Sequence, residues 1–473
     1  MAAIVTTPFR VLNAENFKED VADSNNSVYL GIGKSDVWST NTSDLTDTIP
    51  FTPGDHSDDL GEAWQQMIAM KLISDSDISH VIPRYNYADG AADFVAWDSD
   101  DADIYDKKFY CLTSEFKVYK LLKVGPSTTS VQPTHTTVAP NTGGDGYTWK
   151  YMYTIITSDS EKFLTNSFMP VKTVSETANL ATTDVNYPQQ QSQITSRTSA
   201  TAAGIERIEV TNGGSNYDSA DVFTVAISGD GQDAAVVDAG VTVTAGAITA
   251  IALNAKGTDY TVADVTITHN NASGGTAGAG ATARAVIAPQ SGHGTDPVKE
   301  LGAFYVSLNV QLDGNDGSDF TTGNDFRQIT ILKNPYTSGT TVATATTIKT
   351  MKHLEIANGQ TTSNFVVDQL IVGNNSGAKA YLVEIDTDDK LHYYQNSKTG
   401  YIPFQANDTV TGTLPSGGST TLKAVGSESG TDAHVRYDDT FVRGSGQMIF
   451  LENRDPISRA LTQIEDIKCI IEF

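Results

Sequence analysis

The chain has 473 residues, 39% apolar and only 19% charged, with Thr, Ser, Asn and Gly making up the difference, a composition that suits sheets and loops better than long solvent-exposed helices. Against 31 Lys and Arg stand 57 Asp and Glu, a formal net charge of −26, which excludes nucleic acid or an anionic membrane as a partner held through a basic face, because both need clustered cations. Two cysteines, Cys111 and Cys469, are too few for a disulfide framework, and no apolar run reaches the roughly 18 residues of a membrane span.

In chain order, "AIVTTPFRVL" and "SVYLGIG" read as strands, with Pro8 pushing the first toward a sheet edge. "MAAIVTTPFRVL" lacks the basic region and apolar core of a signal peptide. Residues 57–73 carry the clearest helical spacing, with Leu60, Trp64, Met67, Ile68 and Leu72 on one face and acids at the front. A second short helix is expected around Ser76–His80, before Pro83. The acidic run Asp98, Asp100, Asp101, Asp103, Asp106 reads as a solvated loop. "KKFYCLTSEFKVYKLLKV" then gives two strands. "YTWKYMYTII" gives a third, with Trp149, Tyr151 and Tyr153 on one face by period two.

From about Ile194 aromatics nearly vanish. "IERIEVTNGGSNYDSADV" (Ile205–Val222) aligns with "ITAIALNAKGTDYTVADV" (Ile248–Val265) at an offset of 43 residues, pairing Ile208 with Ile251, Gly214 with Gly257, Tyr217 with Tyr260 and Asp221 with Asp264. Such units stack on their copies to bury a face that neither buries alone. "LGAFYVSLNVQL" and "FRQITILKNP" return to core-strand character. A second Thr- and Gly-rich block follows, with hairpin signals at "GNNSG" and "DTDDK". The expected organisation is a β-sandwich core begun by 1–193, a two-copy β insert over 194–290, core strands in 291–335, a second β insert over 336–440, and closing core strands in 441–473. By length the chain holds about three domains.

The residues offer no constellation for catalysis. There is no G-x-S-x-G elbow, and neither cysteine has a histidine near it in sequence. The eight histidines are scattered without H-x-x-x-H spacing. The acidic run lacks the Gly and distal Glu of a calcium loop. "GGTAGAGA" lacks the Lys-Ser/Thr of a phosphate loop. Pairs of acids suited to glycoside hydrolysis arise by chance among 57 and carry no information. Tyr217 and Tyr260 are expected to plug the space between stacked units rather than to line a sugar face. In "ENRDP" the residue types predict a turn, with Arg454 paired to Glu452 or Asp455. No catalytic, cofactor-binding or metal-binding residue is assigned.

"SGQMIFLENRDPISRALTQIEDIKCIIEF" (445–473) closely resembles the end of the baseplate wedge protein encoded by gene eight of T-even-type contractile-tailed bacteriophages. "AIVTTPFR" (3–10), "GKSDVWS" (33–39), "HVIPR" (80–84), "GDGYTWKY" (144–151) and "FRQITILKNP" (326–335) resemble the same family in the same order. The segments 194–290 and 336–440 exceed the best-known members and resemble repeat and hairpin modules of phage virion proteins. The resemblance implies a non-enzymatic, mainly β subunit with a layered sandwich core and short helices in loops. It implies a homodimer beside other baseplate wedge proteins, assembled in the host cytoplasm into the virion tail, with no cofactor. The alternative is a tail-associated polysaccharide-binding or depolymerising protein acting through the inserts.

Overall fold

The computed structural model describes residues 5–39, 47–87, 93–127, 130–200, 203–232, 235–272, 274–313, 319–387, 389–413, 418–421, 435–437, 441–460 and 463–473. Strand accounts for 40% and helix for 13%, so antiparallel sheets carry the fold and the helices are few. The chain divides into two compact units. One is Met1–Ala14, Ser79–Val306 and Ile471–Phe473; the other is Glu15–Ile78 and Ser307–Ile470.

The second unit is built on a five-stranded antiparallel sheet in the order Thr347–Lys349, Met67–Leu72, Val28–Gly33, Asp325–Lys333, Gln447–Ser458. The strand Val28–Gly33 is buried along its whole length. This is what its near-continuous apolar run dictates for a strand covered on both faces. Gly31 is required there, because a Cβ would stand 2.5 Å from Thr330 Oγ1 on the neighbouring strand. Tyr29, Met67, Met70, Leu332 and Ile348 project to one side of this sheet and pack with Trp64 and Phe441. A seven-stranded antiparallel sheet from residues 352–437 has its own core around Leu354, Ile371, Leu382, Tyr393 and Phe404.

Four expectations are corrected in these segments. "TTPFRVL" is not a strand: Thr7–Ala22 is a helix, with Pro8 in the first turn, where its missing N–H costs nothing. The expected helix over 57–73 ends at Gln66, and Met67–Leu72 is a strand. "MIAMKL" is apolar at nearly every position, so periodicity does not separate the two states, and pairing with Val28–Gly33 decides. Around Ser76 there is one 3-10 turn, Asp75–Asp77, closed by a Ser74–Asp77 capping box, and then the strand Ile78–Pro83. "ENRDP" is not a turn: the strand Gln447–Ser458 runs through it. Phe326 pairs with Ile457 and Gln328 with Asn453, so Arg454, Asp455 and Pro456 bulge opposite Arg327. A bulge accommodates proline, which cannot donate to a ladder.

In the first unit Asn141–Thr142, Thr148–Thr154, Lys117–Lys123 and Tyr110–Leu112 form an antiparallel sheet. One face packs Cys111, Tyr119, Leu121 and Trp149 with Phe94 and Tyr147; the other packs Tyr110, Leu112, Val118 and Leu122 with Trp97 and Phe304. Tyr153 does not share the face of Trp149 and Tyr151. The ladder slips between Val118 and Tyr119, and Met152 and Tyr153 both enter the second core, as a bulge places two adjacent residues on one side.

The repeat forms interlocked copies. The first strand of each copy pairs with the last strand of the other: Ile205–Ser215 with Ala279–Ile287, and Ala247–Ala255 with Val236–Thr244. The middle strands, Val222–Gly229 and Ala263–Asn270, pair with each other. The turns match as well. Gly214 and Asn216 have φ of +65° and +63°, and their counterparts Gly257 and Asp259 have +63° and +57°. Both tyrosines are buried, and each ring lies against a glycine of the other copy, Tyr217 on Gly278 and Tyr260 on Gly231. Neither is available to a sugar.

Candidate functional site

Two buried charge networks stand out, one in each unit. In the second unit "GKSDVWS" leaves the strand Val28–Gly33, and Lys34 takes a left-handed turn at φ +59°. Asp36 is buried. It accepts from Lys34 Nζ at 3.1 Å, Lys398 Nζ at 2.5 Å and Tyr394 Oη at 2.6 Å, while its own amide donates to Tyr394 Oη at 2.7 Å. Burial works against its charge, and the ammonium groups of Lys34 and Lys398 more than offset it, so the carboxyl is held below its usual range. Arg327, opposite the "ENRDP" bulge, makes two 2.8 Å bonds to Asp47 and one of 3.1 Å to Asp325. Asp368 lies beside this network with one carboxyl oxygen unpartnered among the described residues, and burial pushes it up to about 7.

Arg454 makes no side-chain ion pair among the described residues; only its carbonyl is engaged, accepting from Trp38 Nε1 at 2.8 Å. The ion pairs of this region belong instead to Arg327 and to Arg459, which binds both oxygens of Glu465 at 3.0 and 2.9 Å. Asn453 bridges Gln328 at 2.9 Å and the Phe51 carbonyl at 3.0 Å. The stretch is architecture, but through its neighbours rather than through its own arginine.

In the first unit the acidic run is only partly solvated. Asp98 is buried and forms a two-pronged pair with Arg284, with Arg207 3.8 Å away. Burial would raise its pKa, but the bonds from Arg284 and the Asp100 amide outweigh this and hold it low. Asp101 is taken by Lys107. Among the described residues no three His, Cys, Asp or Glu converge as a metal site would require. Sequence reading missed the salt link: an arginine inside an alternating strand reads as a solvent-facing residue.

The deeper network concerns two lysines in the aromatic sheet. Lys120 and Lys150 stand directly opposite each other on adjacent strands, 0% and 2% exposed. Lys120 pairs with Glu300 at 3.1 Å and lies 4.4 Å over the Trp97 ring. The other Glu300 oxygen accepts the amides of Gly294 and Thr295 at 2.6 and 3.0 Å. Burial would raise the Glu300 pKa; the Lys120 charge, with a smaller contribution from His293, outweighs it and brings the carboxyl down to about 2. Burial brings Lys150 down to about 8. The signal was in the sequence: a lysine centred in "VYKLL" and another in "TWKYM" sit where an apolar residue is expected.

Neither thiol is suited to nucleophilic attack, since both are buried and burial raises Cys469 to about 12 and Cys111 further. No helix among the described residues is long and apolar enough to cross a membrane.

The family model for Bacteriophage T4 Gp8 matches residues 3–102 and 418–473. No protein among curated sequences matches the chain. Four of the six resembling blocks lie inside the matched residues; 144–151 and 326–335 lie outside. The latter block nonetheless forms the strand that joins the matched strands Val28–Gly33 and Gln447–Ser458, pairing with one on each side.

Proposed function

We propose, from the match of both its ends to the family model for Bacteriophage T4 Gp8, that this chain is a baseplate wedge protein that acts as a homodimer, binds other wedge proteins and holds the baseplate in place before sheath contraction. The role read from this match is structural, in the baseplate wedge of a T4-like phage, at the tail baseplate of the virion. The observation that carries the finer reading is the match at both ends of the chain, in segments that share one sheet.

The buried ion networks support a rigid part. A charge buried with its partners is costly to expose and fixes one arrangement of the strands that carry it. The polysaccharide reading loses its best surface with the burial of Tyr217 and Tyr260. Sedimentation equilibrium of the purified chain tests the dimer: a single species of twice the 50.5 kDa chain mass is expected. A monomer at all concentrations, unable to join wedge proteins on mixing, would overturn the proposal.

A further inference from the structure

We propose that the cavity between the strand Thr148–Thr154 and the interlocked two-copy module is a binding site for a small oxyanion of the phosphate class, held by Lys150 and bordered by Lys256 and His293. The proposal stands apart from the wedge reading and does not depend on it.

The cavity measures about 260 Å³ and is lined by Lys150, Ser196, Ser199, Glu206, Lys256 and His293, among others. Its charges do not balance. Like charges directly opposite on paired strands repel, and Lys120 and Lys150 are both buried there. Only Lys120 has a carboxylate within ion-pair distance among the described residues. Lys150 donates to the Val138 carbonyl and, at 2.9 Å, to Ser196 Oγ, both neutral. An ammonium has three donors, so one remains. Glu300 acts on Lys150 only from a distance; a buried ammonium with no carboxylate in contact is costly, and an anion in the cavity that Lys150 lines lowers that cost.

A second observation points the same way. His293 is buried, and neither ring nitrogen has a partner within 3.5 Å among the described residues, although Glu300 acts on it electrostatically from just beyond that distance. The nearest carboxylates, of Glu206 and Glu300, stand 3.9 and 3.7 Å away, beyond hydrogen-bond reach. Among the described residues Glu206 is the one acid that lines the cavity, and it is already bound by Lys256 at 2.7 Å, so the cavity does not favour a cation. Phosphate suits the site because its oxygens accept from ammonium, hydroxyl and imidazole donors together. The loop Gly292–Gly294 is fitted to this arrangement. Both glycines have positive φ, and a Cβ on Gly294 would meet Lys150 Cε at 2.5 Å. An anion here joins Lys150 of the aromatic sheet to Lys256 of the module and tightens their packing.

The test titrates the full chain with inorganic phosphate at constant ionic strength, following thermal unfolding and the phosphorus NMR line width. The expected result is a saturable rise in Tm with line broadening, competed by sulfate and not by acetate. Lys150→Met loses both signals, and Lys256→Ala weakens binding about tenfold, the scale of one charge-assisted bond. If Lys150→Met fails to fold by circular dichroism, Lys256→Ala and Ser199→Ala, both at the exposed rim, decide. No saturable response in the wild type, or an undiminished one in the variants that fold, overturns the proposal.

Discussion

At the scale of single residues, the arginine that matters is the one the strand pairing buries, not the one the turn-like sequence advertises. Arg327 is enclosed by Asp47 and Asp325. Arg327→Ala strands those carboxylates and is expected to destabilise the protein by about 3–5 kcal/mol in urea unfolding. Arg454→Ala, which breaks no ion pair among the described residues, is expected to stay within about 1 kcal/mol. Equal losses for the two would show the assignment to be wrong. Asp368 gives a pH signature. Its folded value, raised by burial to about 7, lies above its ordinary 3.8. Its contribution is therefore complete below about pH 4 and is lost as pH rises through about 7. Asp368→Asn should flatten the stability curve across that window and gain on the order of 2 kcal/mol over wild type at about pH 8. A variant curve parallel to wild type from pH 4 to 8 would contradict this. None of these roles was legible in sequence, because Arg327, Asp47 and Asp368 meet only through pairing of strands far apart in the chain.

At the scale of elements, sequence pattern succeeds where burial is symmetric or repeated. "SVYLGIG" was readable as a strand and "FRQITILKNP" as a core strand because a strand covered on both faces is mostly apolar, although the second also buries Arg327, Gln328 and Thr330. The repeat was readable because its glycines and tyrosines recur at the positions that demand them, and the matching left-handed turns show why. What the pattern did not show is that the copies exchange strand partners. The exchange makes a prediction. Gly278→Ala forces a methyl group into the Tyr217 ring of the other copy and is expected to cost about 1–3 kcal/mol. Pairing it with Tyr217→Ala relieves that clash, so the double variant should be less destabilised than the sum of the single changes. Strict additivity would argue against the contact. The misread elements share one cause: "TTPFRVL", "MIAMKL" and "ENRDP" each fit two local conformations, and their place in the fold chose between them. Excising residues 204–288 is a harder test of modularity than the repeat suggested. The module supplies Arg284 and Arg207 to buried Asp98, so the deletion is expected to fold only together with Asp98→Asn, as judged by cooperative unfolding. A cooperative fold for the deletion with Asp98 intact would show that the salt link is dispensable.

At the scale of the whole molecule, the resemblance to the Gp8 family was legible because both ends carry it, and the fold class because composition already favoured sheets. Which segments group into each unit was not, since grouping depends on partners such as Val28 and Lys333 that lie 305 positions apart in the chain. The net charge of −26 keeps such a component soluble before assembly and leaves recognition of its partners to shape and specific contacts rather than to a basic face. The central claim is that this chain is a structural part of a phage tail baseplate. The most direct measurement is quantitative peptide mass spectrometry on baseplates isolated from dissociated contractile-tailed particles that encode it. The account predicts that the chain is present at a fixed ratio to the other wedge proteins, one dimer for each wedge. Its absence from particles, with the chain recovered only as free protein, would contradict the account.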